Sequence, residues 1–536
     1  MENKIKVLEV NNIDLPGRRF NGYDTQLLLN QKPNFSCKQI VVYKHSNDEM
    51  VEKFFDNFVT YDYFHKLMEF EDKMSIHSNL SLTTPALLDK SSYKEADIVH
   101  FHMYHNTRIS LYSLIEMCQK KRVVLSFHDP WPITGRCVHY GECEKWKTGC
   151  HECEKLNTLF PFKVDNCNKM WKLKQLVYKN INPDIVVHSK YMLDIVKQSP
   201  LTKKFNKVHF IPFGIDLKTF SKSISNEEAK AKLNINSDDI VLFFRNQKEF
   251  KGVEYIIEAL KTIRTDKKIT VLTCDGETGL EELKNQYNVV ELGLITNKEL
   301  IYAYNACDIF LMPSIGESFG MMAIEAMACE KPVIVFNNTA LPSVTYAPEC
   351  GVLVDNKDSH KLMEAIKYLI DNPQERERRG KLGRKICEEN YDINTYNEAI
   401  VNLYEEIYKS KLKKTIIPTN TKEINLNSIE VQKIMNKLNE FTRQEFDKSS
   451  KEYNTLIYDC KKIESDDIDY SKLDVQNLIN DYNEKLYSVL NNKEFKPRKN
   501  GKIKQIKNAI KLLIEDKNRF KNSIQYKFNQ IFKKKD

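Results

Sequence analysis

Two glutamates eight positions apart, Glu317 and Glu325, have the spacing that is most informative about chemistry in this chain. Glu325 falls on the first turns of a predicted helix, where its two carboxylate oxygens can accept both hydroxyls of a ribose. Glu317 falls in the preceding loop and therefore nearer the reacting end of the same ligand. Two arbitrary glutamates would usually be solvated, but the proline, serines and glycines around this pair favour a binding site.

The segment that carries both glutamates, residues 310–336, predicts a strand, a loop, a helix and a second strand. The helix opens near Gly320. A helix N-terminus presents unpaired backbone amides and a partial positive charge. We therefore expect the amides of Phe319, Gly320 and Met321 to hold a diphosphate.

The elements that must position this segment alternate along the chain. Short β-branched runs are separated by longer helical patterns, which indicates parallel sheets built from strand-helix-strand units. The runs are Ile5 to Val10, Gln39 to Tyr43, Ile98 to His102, Arg122 to His128, Ile185 to His188, Ile240 to Arg245, Ile269 to Cys274, Ile309 to Met312, Val333 to Phe336 and Val352 to Val354. Two facing doubly wound α/β domains are the simplest account, with a ligand site in the cleft between them.

Composition and length limit the class of protein. The chain has 536 residues, 41% of them hydrophobic and 29% charged, which is typical of a globular protein of two or three domains. No apolar stretch approaches the roughly 18 residues that a membrane-spanning helix needs. The N-terminal sequence MENKIKVLEV leads into a strand pattern without a secretory signal. We therefore expect a cytoplasmic protein in which most of the 13 cysteines are reduced.

Four cysteines form a cluster within 17 residues: Cys137, Cys143, Cys150 and Cys153. Four thiolates are a ligand set that structural zinc prefers, and His139 and His151 lie among them as spare ligands. The alternatives are a loop of reduced or disulfide-paired thiols and an iron–sulfur cluster. A structural zinc would brace this loop, residues 137–153.

The C-terminal part of the chain differs in composition. After about residue 415 glycine nearly disappears and apolar residues fall at helical spacing, which predicts a helical appendage over residues 416–496. Residues 497–536 hold 13 Lys and Arg against 3 Asp and Glu, a net charge of +10, whereas the whole chain is +8. The apolar stripe of this basic tail favours an anionic membrane surface over a solvated helix. No nucleic-acid-binding module is recognisable, and Asp467 and Asp469 of the appendage are expected to be solvated.

The segment GESFGMMAIEAMACEKPVI resembles the Glu-x7-Glu signature of the large family-four retaining glycosyltransferases of the GT-B fold. FFRNQKEFKGVEYIIEAL resembles the family's strand-loop-helix, VHFIPFGIDLKTF its interdomain hinge, and ENYDINTYNEAIVNLYEEIY the segment that crosses back to the first domain. The resemblance implies two facing Rossmann-like domains with a C-terminal helical extension. The expected parts are an acceptor-side domain over residues 1–205, a nucleotide-sugar-binding domain over residues 206–388 and a crossover helix over residues 389–415.

The resemblance also implies roles in the second domain. Arg245 and Lys251 match the family's Arg and Lys that bind the donor diphosphate. A guanidinium fork and an ammonium beside the departing phosphate stabilise the negative charge that gathers there. No metal or other cofactor is therefore expected at the catalytic step. The implied reaction retains anomeric configuration, with Glu317 orienting the sugar hydroxyls and the leaving phosphate helping to deprotonate the acceptor.

In the first domain the resemblance points to His128, which ends a predicted strand and matches the family histidine beside the transferred sugar. Asp129 is expected to orient it. A subset of family-four enzymes has a Cys-rich loop after the same His-Asp pair, as this chain does.

The loop after the first strand resembles the family's glycine-bearing loop, with its paired glycines reduced to the separated Gly17 and Gly22. Gly22 is expected to contact the donor. Arg18 and Arg19 in this loop either meet an anionic ligand or are solvated.

These patterns predict transfer of a sugar from a nucleoside-diphosphate sugar to a glycan or lipid-linked acceptor of surface polysaccharide assembly, in the cytoplasm or at the inner membrane face. Two alternatives stay open: another GT-B enzyme, such as a nucleotide-sugar epimerase or phosphorylase, and a non-catalytic scaffold that binds a nucleotide sugar or a membrane. Two positions depart from the family pattern. Glu330 replaces a common glycine, and Cys274-Asp275-Gly276 stands where Gly-x-Gly is frequent.

Overall fold

The computed structural model describes residues 4–410, except residues 18, 56–63, 66–67, 69–70, 73–74, 80–82, 155–163, 248 and 277–278. The expected helical appendage and basic tail lie outside the described residues. In the part of the chain that is described, none of the helices combines the length and apolarity needed to cross a membrane.

The first sheet has seven strands within the described residues. Its strands are β1 Ile5–Ile13, β2 Phe35–Tyr43, β3 Val51–Lys53, β4 Ile98–His102, β5 Arg122–Ser126, β6 Asp184–Val187 and β7 Val208–Phe210. Its helices are α1 Tyr23–Asn30, α2 Thr83–Asp89, α3 Ser91–Glu95, α4 Ser113–Lys120, α5 Cys167–Lys179 and α6 Lys190–Gln198. The order is β3-β2-β1-β4-β5-β6-β7, and neighbouring strands are parallel. The central strands β4, β5 and β6 are buried almost throughout, as a parallel sheet with helices on both faces requires.

The second sheet has six strands within the described residues. Its strands are β8 Ile240–Asn246, β9 Ile269–Asp275, β10 Asn288–Glu291, β11 Ile309–Met312, β12 Val333–Phe336 and β13 Val352–Val354. Its helices are α7 Asn226–Lys232, α8 Val253–Thr262, α9 Glu281–Lys284, α10 Asn297–Ala306, α11 Met321–Ala328, α12 Leu341–Val344, α13 Ser359–Asp371 and α14 Pro373–Asn390. The order is β10-β9-β8-β11-β12-β13, again with parallel neighbours.

Each sheet reverses its winding direction once. In the first sheet β1 lies between β2 and β4, and in the second β8 lies between β9 and β11. A crevice opens at the carboxyl ends of the strands on either side of such a reversal, and ligands of open parallel sheets bind there. The two doubly wound α/β domains predicted from the sequence are confirmed, and each has one such crevice.

Two chain segments run side by side between the domains. Ile215 and Asp392 form a parallel bridge. The Ile215 N–H donates to Tyr391 O at 2.8 Å, and the Ile393 N–H donates to Ile215 O at 3.0 Å. A Cβ on Gly214 would lie 2.6 Å from Asp392 O, so glycine allows the two segments to approach. The segments on either side of Gly214 and Asp392 are therefore held together by backbone hydrogen bonds.

The last described helix, α15 Ile393–Lys409, returns to the first domain. Arg122 Nε donates to Ile407 O at 3.0 Å, and Asn34 Nδ2 donates to Glu405 Oε1 at 2.9 Å. The first sheet also extends past the expected boundary at residue 205, because β7 pairs with β6. The sequence pattern did not predict this short edge strand, because turn-forming residues follow it directly.

Candidate active site

The loop between β11 and α11 is built around two glycines. Gly320 has a left-handed backbone with φ of 103° and begins helix α11, and a Cβ there would lie 2.4 Å from Leu341 Cδ2. A Cβ on Gly316 would lie 2.8 Å from aromatic carbons of both His139 and Phe250. These positions therefore need glycine to seat the loop. The first N–H groups of α11 have no acceptor within the helix, and they begin at the end of this loop.

Glu317 in this loop pairs with Lys251, whose Nζ lies 2.7 Å from Glu317 Oε2. A Cβ on Gly252 would lie 2.0 Å from Pro313 O, so glycine allows the start of α8 to lie against the end of β11. This close approach brings Lys251 to Glu317. Burial raises the pKa of Glu317, but Lys251 outweighs burial and holds that pKa below its ordinary value. The Ser318 N–H donates to the other carboxylate oxygen, Glu317 Oε1, at 3.2 Å.

Arg245 is the penultimate residue of strand β8 and forms an ion pair through Nε with Asp275 Oδ2. The two meet because β8 and β9 are paired in register, with Arg245 opposite Cys274. Asp275 has φ of 75°, a left-handed backbone that favours glycine. Asp275 stands in the segment where Gly-x-Gly is frequent in the family, and its carboxylate pairs with the Arg245 guanidinium. Sequence analysis did not assign Asp275, although an acidic residue at that turn was the available signal.

Glu325 on α11 is held by Tyr304 of α10, whose hydroxyl donates to Glu325 Oε2 at 2.8 Å. Tyr304 is fully buried, and burial together with Glu325 raises the pKa of Tyr304 well above its ordinary value. The hydroxyl therefore keeps its proton and donates. Tyr304 is a second residue that sequence analysis missed, because its helical pattern is that of a core residue.

In the first domain, His128 lies in a stack of rings. The ring centroids of His128 and His188 are 4.9 Å apart with 5° between the planes, and Phe213 lies 5.7 Å from His128. Phe213 also contacts Phe319 of the loop between β11 and α11, with centroids 5.2 Å apart. Burial lowers the pKa of His128 well below its ordinary value, and the neighbouring His188 and His102 lower it further. His128 is therefore a neutral ring one aromatic residue away from the Glu317 loop.

Asp129 does not orient His128 in this structure, contrary to expectation. Its Oδ1 accepts the Trp131 N–H at 2.8 Å, and its Oδ2 lies 3.2 Å from His105 Nε2. Burial raises the pKa of Asp129, but His105 and the Trp131 amide outweigh burial and lower it. The buried Lys174 supports the same loop by donating to the carbonyl oxygens of Trp131 at 2.6 Å and Thr134 at 2.8 Å.

The loop after β1 covers this region. Gly22 has φ of 74° and precedes α1, and a Cβ there would lie 2.8 Å from His102 Nε2 and 2.9 Å from Glu9 Oε2. Phe20 packs edge-on against His128 at 6.4 Å between centroids. Gly22 therefore lies over the Glu9–His102 pair. Arg18 and the side chain of Arg19 lie outside the described part of the chain.

The two domains touch across the cleft near Glu317. The ring of His139, in the Cys-rich loop, packs edge-on against Phe250 with centroids 4.6 Å apart. Ser189 Oγ donates to Ser318 O at 2.6 Å, and Lys357 Nζ lies 2.9 Å from Glu142 Oε1. The structure thus places His139 against Phe250 and beside Gly316 of the loop between β11 and α11. The ring of Phe213 lies between His128 and the Glu317 loop, because it contacts both His128 and Phe319.

The four cysteines of residues 137–153 form no disulfide in the described structure, and contacts of two of them, Cys150 and Cys153, can be described. Cys150 Sγ accepts the Gly135 N–H at 3.1 Å, and burial raises the pKa of Cys150 to about 12. A hydrogen bond with Cys153 and burial raise the pKa of the Cys167 thiol, so a fifth cysteine from α5 joins the cluster. In the described part of the chain, no three of these sulfurs lie within 4.8 Å of one another, whereas ligand atoms of Glu9, His100 and His102 do.

The second domain matches a known family. Residues 225–386 match the family described as glycosyl transferases group 1. The chain is 29% identical to an uncharacterised 41.2 kDa protein in the cps region of Klebsiella pneumoniae, over 47% of this chain and 69% of that protein. It is 23% identical to the putative colanic acid biosynthesis glycosyl transferase WcaC of Escherichia coli, over 46% and 61% of the two chains. It is 26% identical to the capsular polysaccharide biosynthesis glycosyltransferase CapM of Staphylococcus aureus, over 42% and 62%. The chain thus spans about two thirds of the length of these relatives.

The fold also matches solved structures along most of the described chain. Sucrose-phosphate synthase from Thermosynechococcus elongatus superposes with a TM-score of 0.57 at 17% identity, over 75% of this chain and 99% of that one. Anabaena HepE, solved in complex with UDP and glucose, superposes with a TM-score of 0.53 at 15% identity, over 75% and 99%. At this level of identity the likeness shows the two-domain fold.

Proposed function

We propose that this chain is a retaining glycosyltransferase that moves a sugar from a nucleoside-diphosphate sugar to an intermediate of surface polysaccharide assembly. The family match of residues 225–386 and the polysaccharide relatives from Escherichia coli and Staphylococcus aureus support the reaction class and the acceptor class. One observation carries the proposal. Lys251 and Glu317 lie 2.7 Å apart beside the N-terminus of α11, at the carboxyl edge of a parallel sheet.

The donor diphosphate would bind by exchanging one anion for another. Lys251 is paired with Glu317 and Arg245 with Asp275, so both cations are held in place by carboxylates. A diphosphate competes for these cations through short charge-assisted hydrogen bonds. The amides that open α11 add a partial positive charge on the same side. This cationic set would stabilise the negative charge on the leaving nucleoside diphosphate.

Glu325 would bind the ribose of the donor. Its carboxylate is oriented by the Tyr304 hydroxyl at 2.8 Å, which fixes the side chain on the first turns of α11. An oriented carboxylate accepts hydroxyl protons without reorganisation. The complex of Anabaena HepE with UDP and glucose recommends UDP sugars as the first donors to test.

Retention of anomeric configuration is proposed on the resemblance of the Glu317 to Glu325 segment to the retaining family, and the carboxylate in the cleft is compatible with it. The lowered pKa of Glu317 keeps that side chain an anionic acceptor, which suits it to orient sugar hydroxyls. The leaving phosphate would then deprotonate the acceptor hydroxyl on the same face of the sugar. No metal or other cofactor is proposed for this step.

The experiment that tests the proposal is thermal stabilisation by a panel of nucleotide sugars, with Arg245→Ala and Glu325→Ala as variants. We expect one donor to raise the melting temperature of the wild type and both variants to lose the rise. Lys284→Ala is the matched control, because Lys284 forms only surface ion pairs in the described structure of the same domain. A panel without effect, or variants that respond like the wild type, would contradict the proposal. Consumption of donor without an acceptor would instead favour an epimerase or phosphorylase.

Attachment to an anionic membrane surface is proposed for the basic tail, residues 497–536. Its net charge of +10 and apolar stripe are the support, since each basic residue near an anionic surface contributes to binding. Such attachment would place the enzyme at the inner membrane face, beside a lipid-linked acceptor. A chain truncated before Pro497 should lose binding to vesicles that contain phosphatidylglycerol. Unchanged binding would refute the attachment.

A structural zinc in the Cys-rich loop is proposed on the chemistry of its thiols. Five cysteines lie in or beside this loop, and four thiolates are a complete tetrahedral set. Zinc would brace the loop that carries His139 against Phe250. Metal analysis of purified, reduced protein tests the idea. About one equivalent is expected, and less than about 0.2 equivalents of any metal would contradict it.

A further inference from the structure

Beneath Gly22, the first domain buries a set of polar side chains that connects to His128. Glu9 lies on β1, His100 and His102 on β4, and Tyr404 on the crossover helix α15. All four are at most 2% exposed. Buried polar groups are stable only when their hydrogen bonds are satisfied, so the direction of each hydrogen bond in this set can be worked out.

Glu9 receives two donors. The Tyr404 hydroxyl donates to Glu9 Oε1 at 2.6 Å, and His102 Nε2 lies 2.7 Å from Glu9 Oε2. A carboxylate only accepts hydrogen bonds, so the proton between His102 and Glu9 is on His102 Nε2. The other nitrogen, His102 Nδ1, faces His128 Nε2. A proton on His102 Nδ1 would force the neutral His128 to carry its own N–H at Nδ1, which is buried and has no acceptor in the described structure. His102 Nδ1 is therefore an acceptor.

This acceptor faces His128. His102 Nδ1 lies 3.0 Å from His128 Nε2, so the proton between the two rings is on His128 Nε2. His128 is neutral, because burial lowers its pKa well below the ordinary value. His128 Nδ1 therefore has a lone pair and no proton. Nδ1 is buried and lacks a hydrogen-bond partner within the described structure.

The hydrogen bonds of His100, on the other side of Glu9, can be assigned in the same way. Tyr404 uses its proton on Glu9, so His100 Nδ1 donates to the Tyr404 oxygen at 2.5 Å. His100 Nε2 then accepts from Ser126 Oγ at 2.8 Å. These hydrogen bonds account for the close approach of Glu9, His100 and His102 without a metal ion.

We propose that Glu9 and His102 are positioning residues that fix His128 as the Nε2–H tautomer, so that its Nδ1 accepts a hydrogen bond from a hydroxyl of the donor sugar. The opposite tautomer would bury an N–H at Nδ1 without an acceptor in the described structure. The identity of the hydroxyl rests on the proposed function, whereas the tautomer does not.

The tautomer can be read directly by NMR of the full chain labelled with 15N-histidine, using a His128→Asn variant to assign the His128 signals. We expect the wild type without ligand to show a protonated Nε2 and an unprotonated Nδ1 for His128. In Glu9→Gln, we expect a mixture of tautomers, because an amide offers His102 both a donor and an acceptor. Ser126→Ala is the matched control, since it removes the hydroxyl that donates to His100, and it should keep the wild-type tautomer.

A wild-type His128 with a protonated Nδ1, or a single unchanged tautomer in Glu9→Gln, would overturn the positioning role. The acceptor role has its own readout. Saturation with the nucleotide sugar that gives the largest thermal stabilisation should shift the His128 Nδ1 resonance upfield, and an unmoved resonance would overturn that role. If no nucleotide sugar binds while the free-state tautomer is as stated, the proposed function fails and the positioning by Glu9 and His102 stands.

Discussion

The two halves of the cleft hold their functional groups in different ways. In the second domain, Lys251 and Glu317 are 21% and 16% exposed and form a charged pair. In the first domain, the side chains of His102 and Glu9 are 3% and 0% exposed, and they hold His128 through a chain of hydrogen bonds. One side presents charges that a ligand can reach, whereas the other presents a neutral ring whose orientation is set from within the core.

This contrast indicates that the second-domain side of the cleft is suited to binding a charged ligand, whereas the first-domain side is suited to orienting a ring. A partly exposed ion pair can change partners at low cost, because water screens the exchange and surface pairs contribute little to stability. A buried network has no such freedom, since each group left unpaired costs free energy. Changes on the second-domain side should therefore affect activity more than stability. Changes in the buried support of the first domain should affect both.

The largest effect is expected on the charged side. Lys251→Ala removes the cation that we propose to lie beside the leaving phosphate, and loss of one group that stabilises developing charge typically lowers the catalytic rate by about 10²- to 10³-fold. We expect kcat/KM for the accepted donor to fall in this range, with a change in melting temperature of only a few degrees. Steady-state kinetics measure the effect, with Lys284→Ala as the control. A fall in kcat/KM of less than about threefold would contradict the role of Lys251.

Lys174→Met tests the buried side. Lys174 is fully buried and donates to the carbonyl oxygens of Trp131 and Thr134, and its Nζ lies 3.3 Å from the centroid of the Trp131 ring. Leaving these carbonyls unpaired should lower the free energy of unfolding by about 2–4 kcal/mol. Lys172→Met, an exposed lysine on the same helix, is the matched control. Equal stability of the two variants in denaturant unfolding would show that Lys174 does not support the loop after His128.

Tyr304→Phe gives a smaller effect on the charged side. It removes the hydroxyl that orients Glu325 and leaves the ring in the core, so donor affinity should fall about tenfold at nearly unchanged stability. Titration calorimetry with the stabilising donor measures the change. Tyr302→Phe on the same helix is the control, and identical donor affinity in both variants would argue against a role for Tyr304.

The smallest effect concerns backbone strain away from both sides of the cleft. Glu330 has φ of 59°, a left-handed backbone in which glycine is unstrained. Glu330→Gly should raise the melting temperature by about 1–3 °C, although it removes the pair between Lys222 Nζ and Glu330 Oε2 at 3.2 Å. Glu330→Ala keeps the strain and should give no gain. A higher melting temperature for the alanine variant than for the glycine variant would contradict this explanation.

The sequence predicted elements with strong periodicity and missed short ones. Ile98–His102, Ile309–Met312, Val333–Phe336 and Val352–Val354 have the bounds that the pattern predicted, because continuous apolar runs mark strands buried on both faces. Strands β3, β7 and β10 were missed. They have three or four residues each and carry few apolar side chains, which is too little for a periodic signal.

Sequence motifs predicted which residues are candidates for the site, but they did not predict which residues these candidates contact. The resemblance pointed to Lys251 and Glu317 separately, and the structure pairs them across 66 residues of sequence. Asp275 meets Arg245 only because β8 and β9 are paired in register. The hydroxyl of Tyr404 reaches Glu9 across 395 residues through the return of the crossover helix. Such contacts depend on tertiary structure, which local sequence patterns do not contain.

The most direct test of the account is a crystal structure with the nucleoside diphosphate of the donor that stabilises the protein. We expect the diphosphate to lie at the N-terminus of α11, within hydrogen-bonding distance of Lys251 and Arg245. Lys251 should then contact phosphate in place of Glu317. A nucleotide bound elsewhere, or one that leaves the Lys251–Glu317 pair intact, would contradict the account.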